Sequence, residues 1–211
     1  MMIKGSSKKV IGVLLAGGLA RRMGGGDKCL RILAGRPLLD RLIDVVKPQV
    51  DIMILNANGD ATRFASYGLP VVADVIEGYA GPLAGVLTGL EWAAENIPDA
   101  AWVASLATDA PFLPGDLVAR MISAVKSEGA DLACAASVGR MHPVFGLWPL
   151  SLRADLRAAM IDEDIRKIDL WTARYNLAVV EFEKKQGRDP FFNVNQPDNL
   201  AEAGRIIAGP G

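Results

Sequence analysis

Val10-Ile11-Gly12-Val13-Leu14-Leu15-Ala16-Gly17-Gly18-Leu19-Ala20-Arg21-Arg22-Met23-Gly24-Gly25-Gly26-Asp27-Lys28 is the stretch that decides the fold. Its first part, Val10 to Ala16, is a short and wholly apolar run. Such a run is too short for a helix and reads as a strand buried on both faces. Five glycines follow between positions 17 and 26, with Arg21 and Arg22 among them and Lys28 just after. Glycine allows positive φ and a close approach of backbone to ligand. Successive N–H groups in such a loop form an anion-binding concavity. Arginine grips phosphate oxygens bidentately and lysine acts as a point charge. A buried strand followed by a charged glycine loop describes a polyphosphate cradle at the top of a parallel sheet.

The known phosphate loops differ from this one. A dinucleotide-binding loop needs G-x-G-x-x-G and then a helix, whereas here Gly17-Gly18 leads on to Asp27-Lys28. The pattern G-x-x-x-x-G-K-[ST] is absent too, because Asp27 precedes Lys28 and Cys29 follows it. A solvated glycine loop with incidental charges is the competing reading.

Outward from this stretch, apolar runs alternate with amphipathic ones. Strands are expected at 51–55, 69–73, 101–107, 132–136 and 177–182. Pro143 demotes a run at 141–147 to an edge or bulged position. Helices are expected from Pro37 to Lys47, over 60–67, from Gly81-Pro82 onward, and over 114–127, 151–160, 165–175 and 197–207. Alternation of this kind marks an α/β fold: a single Rossmann-like domain, its mostly parallel sheet flanked by helices on both faces. Ligands of such sheets bind beyond the carboxyl ends of the strands, where strand order reverses. The segments after these strands carry Gly17-Gly18, Asn56, Asp74 and Asp109. Residues 1–8 read as a loose tail and 9–211 as the domain.

Composition removes several classes. The chain has 211 residues, within the usual size of one domain of roughly 100–200 residues or slightly more. Its 23 basic and 24 acidic residues leave a net charge of −1, unlike the cationic surface a nucleic-acid binder uses. No stretch reaches the roughly 18 uninterrupted apolar residues of a membrane span. Lys4, Lys8 and Lys9 before Val10–Leu15 imitate a signal peptide, but Arg21 and Arg22 stand where small residues should mark a cleavage site. The two cysteines, Cys29 and Cys134, suit a reducing cytoplasm, and one histidine, His142, cannot build a multi-histidine zinc site.

Asp109 in Thr108-Asp109-Ala110-Pro111 is the metal candidate. A strand-end carboxylate suits Mg²⁺, which takes one or two protein carboxylates and fills its shell with phosphate oxygens and water. The competing role is a helix N-cap. Asp74 could accept from guanine's N1–H and exocyclic amine, with Asn56 beside the base or ribose; both could equally serve their own loops. Gly85 and Gly89 each cost their helix about 1 kcal/mol relative to alanine, so something packs very close, the sheet before a ligand. Asn193 and Asn195, two apart on an extended segment, point the same way. Lys28 could lower the pKa of Cys29, although nothing marks that thiol as a nucleophile. His142 reads as a structural hydrogen-bonder with no partner assignable from sequence.

These residues resemble the molybdenum cofactor guanylyltransferases, a branch of the molybdopterin nucleotidyltransferases. The L-A-G-G–x3–R-M-G–x2–D-K run carries the likeness. So do Asn56, Asp74, Gly81-Pro82-Leu83-Ala84-Gly85, Asp109, His142-Pro143 and Phe192-Asn193-Val194-Asn195-Gln196-Pro197, in order along nearly the whole chain. The resemblance implies a nucleotide-diphospho-sugar transferase-like fold. It also implies transfer of GMP from GTP to a molybdopterin phosphate, with Mg²⁺ and release of pyrophosphate. Leu15, Ala16, Gly17, Gly18, Lys28, Asn56, Asp74 and Asp109 would then bind GTP. Arg22, Lys28 and Asp109 would carry catalysis, Asp109 would hold the metal, and Asn193 and Asn195 would meet the pterin phosphate. Arg21 leaves open which arginine of the pair holds phosphate. The implied partners are GTP, a molybdopterin-type acceptor, and molybdoenzyme chaperones or cofactor-insertion proteins in transient contact. CTP on molybdopterin, another NTP on a sugar phosphate, and a nucleotide-binding module without turnover are the alternatives.

Overall fold

The structure, a computed structural model, describes residues 8–17, 26–78 and 81–209. The loose tail expected at residues 1–8 therefore lies almost wholly outside the described residues, as do Gly18, Arg21 and Arg22.

The strands are β1 (Lys9–Leu15), β2 (Ile32–Leu33), β3 (Arg36–Pro37), β4 (Ile52–Asn56), β5 (Val71–Val72), β6 (Ala100–Ala107), β7 (Leu132–Ser137), β8 (Arg140–Pro149) and β9 (Leu177–Glu181). The helices are α1 (Leu38–Val46), α2 (Pro82–Asn96), α3 (Leu117–Glu128), α4 (Arg153–Ile161), α5 (Ile168–Thr172) and α6 (Pro197–Ala208). A 3₁₀ helix at Ala61–Tyr67 takes the place of the short helix expected over 60–67. The tight β2–β3 hairpin, turning on Ala34 and Gly35 at φ of 46° and 79°, has no counterpart in the expected elements.

Seven strands form one sheet in the order β5-β4-β1-β6-β8-β7-β9. Every neighbouring pair is parallel except the two that involve β8, which runs against both β6 and β7. Pro143 does sit in a bulge, as its chemistry demands, yet β8 is an interior strand and not an edge. Its N–H-less residue is accommodated because the bulge takes it out of the ladder.

The expected helices on both faces are present. On one face α1 and α3 pack Leu39, Leu42, Val46, Leu117, Met121 and Val125 against Leu14, Leu55 and Leu106 of the sheet. On the other, α2, α4 and α5 bury Leu83, Leu87, Leu156, Met160 and Trp171 against Ile11, Val13 and Val103. Trp148 and Trp171 lie fully buried with ring centroids 5.9 Å apart, and the Trp148 indole N–H donates to Ser105 Oγ. A third, smaller cluster joins Leu33 and Leu38 to Val194 and to Ala203 of α6. None of the described helices is long and apolar enough to cross a membrane.

The chain leaves β1 for β4 and β5 on one side and then returns to β6 on the other. The carboxyl end of β1 is thus the point where strand order reverses.

Candidate active site

β4, β1 and β6 end in register there, with Leu15 opposite both Asn56 and Ala107. At a strand spacing of about 4.8 Å, Asn56 and Ala107 flank Leu15 roughly 10 Å apart. The exit of β1 is clamped from both sides. Ala16 N–H donates to Asn56 O (2.9 Å), and Thr108 Oγ1 donates to Leu15 O (3.0 Å). Ala16 is fully buried and its N–H is taken, so amides free for an anion begin no earlier than Gly17. Gly17 is exposed, with open space where a Cβ would stand.

The glycine loop re-enters the described chain at Gly26 and closes in a 3₁₀ turn, Lys28–Leu30. That turn tucks Lys28 inward until the residue is only 9% exposed. Its ammonium donates to Asp109 Oδ2 (2.5 Å), to Asn193 Oδ1 (3.1 Å) and to Asn195 Oδ1. An ammonium has three protons to give, and here three oxygens from two distant segments receive them.

Asp109 follows β6 directly and organises the other side. Its backbone carbonyl accepts from Val194 N–H (2.9 Å), which straps residues 193–195 across the end of β6. Pro197 opens α6, and Asn199 Oδ1 accepts from the N–H groups of Asn195 and Gln196. The helix cap thereby fixes the far end of the strap. Asp109 is not an N-cap: α3 begins at Leu117, with Asp116 in that position. The second carboxylate oxygen of Asp109, Oδ1, is buried and has no hydrogen-bond partner among the described residues. Such an orphaned anionic oxygen is a hard donor of the kind a divalent cation takes. No group of three His, Cys, Asp or Glu side chains among the described residues could hold a metal.

A second cluster lies at the β4 end. Asn56 Nδ2 donates to Asp74 Oδ1 (2.9 Å) and Val72 O (3.2 Å). Asn58 Nδ2 donates to Asp74 Oδ2 (2.8 Å), and Asp74 N–H returns a bond to Asn58 Oδ1 (2.8 Å). Asp74 is therefore held rigidly by two asparagines, one engaging each oxygen, and each oxygen keeps a further lone pair. Gly85 of α2 lies against this pair. A Cβ there would overlap Asn56 Oδ1 and come 2.5 Å from Leu15 Cδ2. One at Gly89 would overlap Val13 Cγ2. The close neighbour that the two glycines implied is the sheet.

Arg63, which no sequence pattern singled out, ties the two clusters together. Its Nε pairs with Asp27 (2.8 Å), Nη2 donates to Asn58 O (2.7 Å), and Nη1 donates to Asp60 O. The guanidinium also lies 4.7 Å from the centroid of the Phe64 ring. Sequence offered only a short helix here, since the Asp27 partner lies in a distant loop brought near by the fold.

Cys29 departs from expectation. The thiol is buried, and desolvation together with the Asp27 charge pushes its pKa up to about 12, outweighing any effect of Lys28. Cys134, also buried, is raised to about 11 by burial. Both are inert free thiols in the folded chain.

Residues 12–175 match the family described as the MobA-like NTP transferase domain. The molybdenum cofactor guanylyltransferase of Rhodopseudomonas palustris (strain BisB5) is 58% identical over 194 residues, 92% of each chain. The protein of that name from Bradyrhizobium sp. (strain ORS 278) is 55% identical over 207 residues, 98% of this chain and 97% of its own. Among solved structures, molybdopterin-guanine dinucleotide biosynthesis protein A from Archaeoglobus fulgidus superposes with a TM-score of 0.74 at 23% identity. The match covers 95% of this chain and all of that one, a likeness of fold. A parallel sheet with a lysine–aspartate pair at its switch point, in this company, defines a nucleotidyltransferase. The chain belongs to the MobA-like NTP transferase family, in its molybdenum cofactor guanylyltransferase branch.

Proposed function

We propose that the chain transfers GMP from GTP to the terminal phosphate of molybdenum-molybdopterin, giving the guanine dinucleotide cofactor and pyrophosphate. The observation that carries the reading is the Lys28 ammonium held against Asp109 at the carboxyl ends of β1 and β6. An acceptor phosphate oxygen forms the new bond to the α-phosphorus, and the bond from that phosphorus to the β-phosphate oxygen breaks. Such transfers demand little covalent chemistry of the protein and much positioning and charge stabilisation.

Lys28 offsets the charge on the α-phosphate and the departing pyrophosphate. Two unit charges 4 Å apart interact by about 4 kcal/mol at an effective dielectric near 20, before desolvation. Asp109, whose Oδ1 is buried and without a hydrogen-bond partner among the described residues, would hold Mg²⁺. When bound, that ion neutralises triphosphate charge. Asn193 and Asn195, already poised on Lys28, orient the acceptor phosphate. Asp74, fixed by Asn56 and Asn58, accepts from the guanine edge. Gly17 and Gly18 seat the triphosphate, and Arg22 or Arg21 grips it. Residues 9–211 act as one domain, in the cytoplasm, and hand the product to cofactor-insertion proteins.

Thermal shift with GTP, CTP and ATP, each with Mg²⁺, tests base choice. A ligand at 100 times its Kd stabilises by about 2.7 kcal/mol, which is about 5–10 °C for a chain of this size. GTP should give that shift. Stabilisation by CTP or ATP without GTP contradicts the assignment.

A further inference from the structure

His142, the only histidine of the chain, sits at the edge of the β8 bulge. Cys134 faces Gly146 while Ala135 faces His142, so Pro143, Val144 and Phe145 are extra residues on β8. The bulge brings the imidazole Nε2 to 2.8 Å from Ser137 Oγ at the end of β7. Ser137 is 1% exposed, and its hydroxyl donates to Asp189 Oδ1 (2.7 Å). The same carboxylate oxygen accepts from Phe191 N–H (3.0 Å).

One hydroxyl proton directed at Asp189 leaves Ser137 Oγ only as an acceptor towards His142, so Nε2 carries the hydrogen. Burial of the imidazole lowers its pKa from the ordinary value, in keeping with a neutral ring. A serine buried to this degree, its proton committed to a carboxylate, attacks no substrate. Next in the chain is Val138 at φ +54°, an unfavourable conformation for a β-branched residue. Backbone strain of that kind persists only where the surroundings over-determine it.

What the cluster holds is the turn that leads to the strap. Asp189 O accepts from Phe192 N–H (3.1 Å), and the Phe191 ring packs 4.8 Å from His142, 4.9 Å from Phe145 and 5.6 Å from Phe182. Two residues beyond Phe192, Val194 bonds Asp109, with Asn193 and Asn195 on Lys28. The α6 cap anchors one end of this strap; Asp189 anchors the other.

We infer that Ser137 and Asp189, braced by His142, are positioning residues for the acceptor side of the reaction, acting by fixing the turn that presents Asn193 and Asn195. The inference rests on the proposed function and adds to it the residues that set acceptor binding apart from nucleotide binding.

Steady-state kinetics of Ser137→Ala, Asp189→Ala and Asp189→Asn test it. The two alanine variants should raise KM for the molybdopterin acceptor by about tenfold, the scale of a lost hydrogen bond. KM for GTP should stay within about twofold, because no base or triphosphate contact is lost. Asparagine at 189 keeps the accepting Oδ1 and should restore acceptor KM to within about threefold of wild type. Deuterium exchange over residues 189–195 should quicken in the alanine variants and not in Asp189→Asn. Unchanged acceptor KM in both alanine variants overturns the inference, as does an equal rise in both KM values. If wild type transfers nothing to the acceptor, the proposed function falls; exchange at 189–195 then decides the inference alone, and no quickening overturns it.

Discussion

Lys28 is a charged residue that the fold has nearly removed from water, and such a group must be paired. Its three acceptors, Asp109, Asn193 and Asn195, stand 81 to 167 positions away in sequence. Lys28→Ala removes the one cation among the described residues of this cluster and leaves the half-buried Asp109 with neither oxygen bonded to a side chain among the described residues. Loss of a single charge-stabilising donor typically costs about 10²–10³ in turnover. We expect Lys28→Ala to lose transfer on that scale while GTP still shifts the melting temperature, read by product formation beside thermal shift. Retained turnover would remove Lys28 from the chemistry. Residue types at this scale were legible in sequence, because Thr108-Asp109 stands at a strand end where ligands bind and Asp27-Lys28 closes the glycine loop that follows the first strand. Their partners were not. Arg63 and the Ser137–Asp189 bond are long-range facts, and a neighbour in sequence misleads when burial outweighs it, as at Cys29.

Among the elements, α2 is the most constrained by its neighbours. Gly85 and Gly89 lie one turn apart on its buried face, the first against Asn56 and Leu15 and the second against Val13. Overpacking a well-filled core costs typically about 1–3 kcal/mol. Gly85→Ala and Gly89→Ala should therefore both lower the melting temperature, by about 2–12 °C in a chain of this length. Only Gly85→Ala should also weaken GTP binding, since it pushes on Asn56 and through it on Asp74. Equal GTP affinity in the two variants, measured by calorimetry, would separate Asn56 and Asp74 from the base. The glycines announced a close approach, and strand ends at Leu15, Asn56 and Ala107 fall within a residue or two of their sequence limits. The β8 run and its bulge were legible, but its antiparallel direction and interior place were not, because they depend on which strands pair, and that is written in contacts between β6, β7 and β8 rather than in any local period. β5 shrank to Val71–Val72 for a related reason: β4 offers it only two paired positions.

For the whole molecule, the sheet reduces to one geometric device. Reversal of strand order at β1 brings three strand ends side by side, and loops from distant parts of the chain converge there with the Asp74 carboxylate, the Lys28 ammonium and an Asp109 oxygen that has no hydrogen-bond partner among the described residues. Alternating apolar and amphipathic runs were enough to forecast the parallel sheet and this crest, because both follow from local periodicity and the handedness of parallel connections. The proposed division, base beside β4 and acceptor beside the strap, rests on side-chain networks that only folding assembles. Formation of the guanine dinucleotide, with an equal amount of pyrophosphate, from GTP, Mg²⁺ and molybdenum-molybdopterin tests the account most directly. It predicts turnover with GTP and at most a trace with CTP or ATP. Tight GTP binding with no pyrophosphate released in the presence of the acceptor would contradict it.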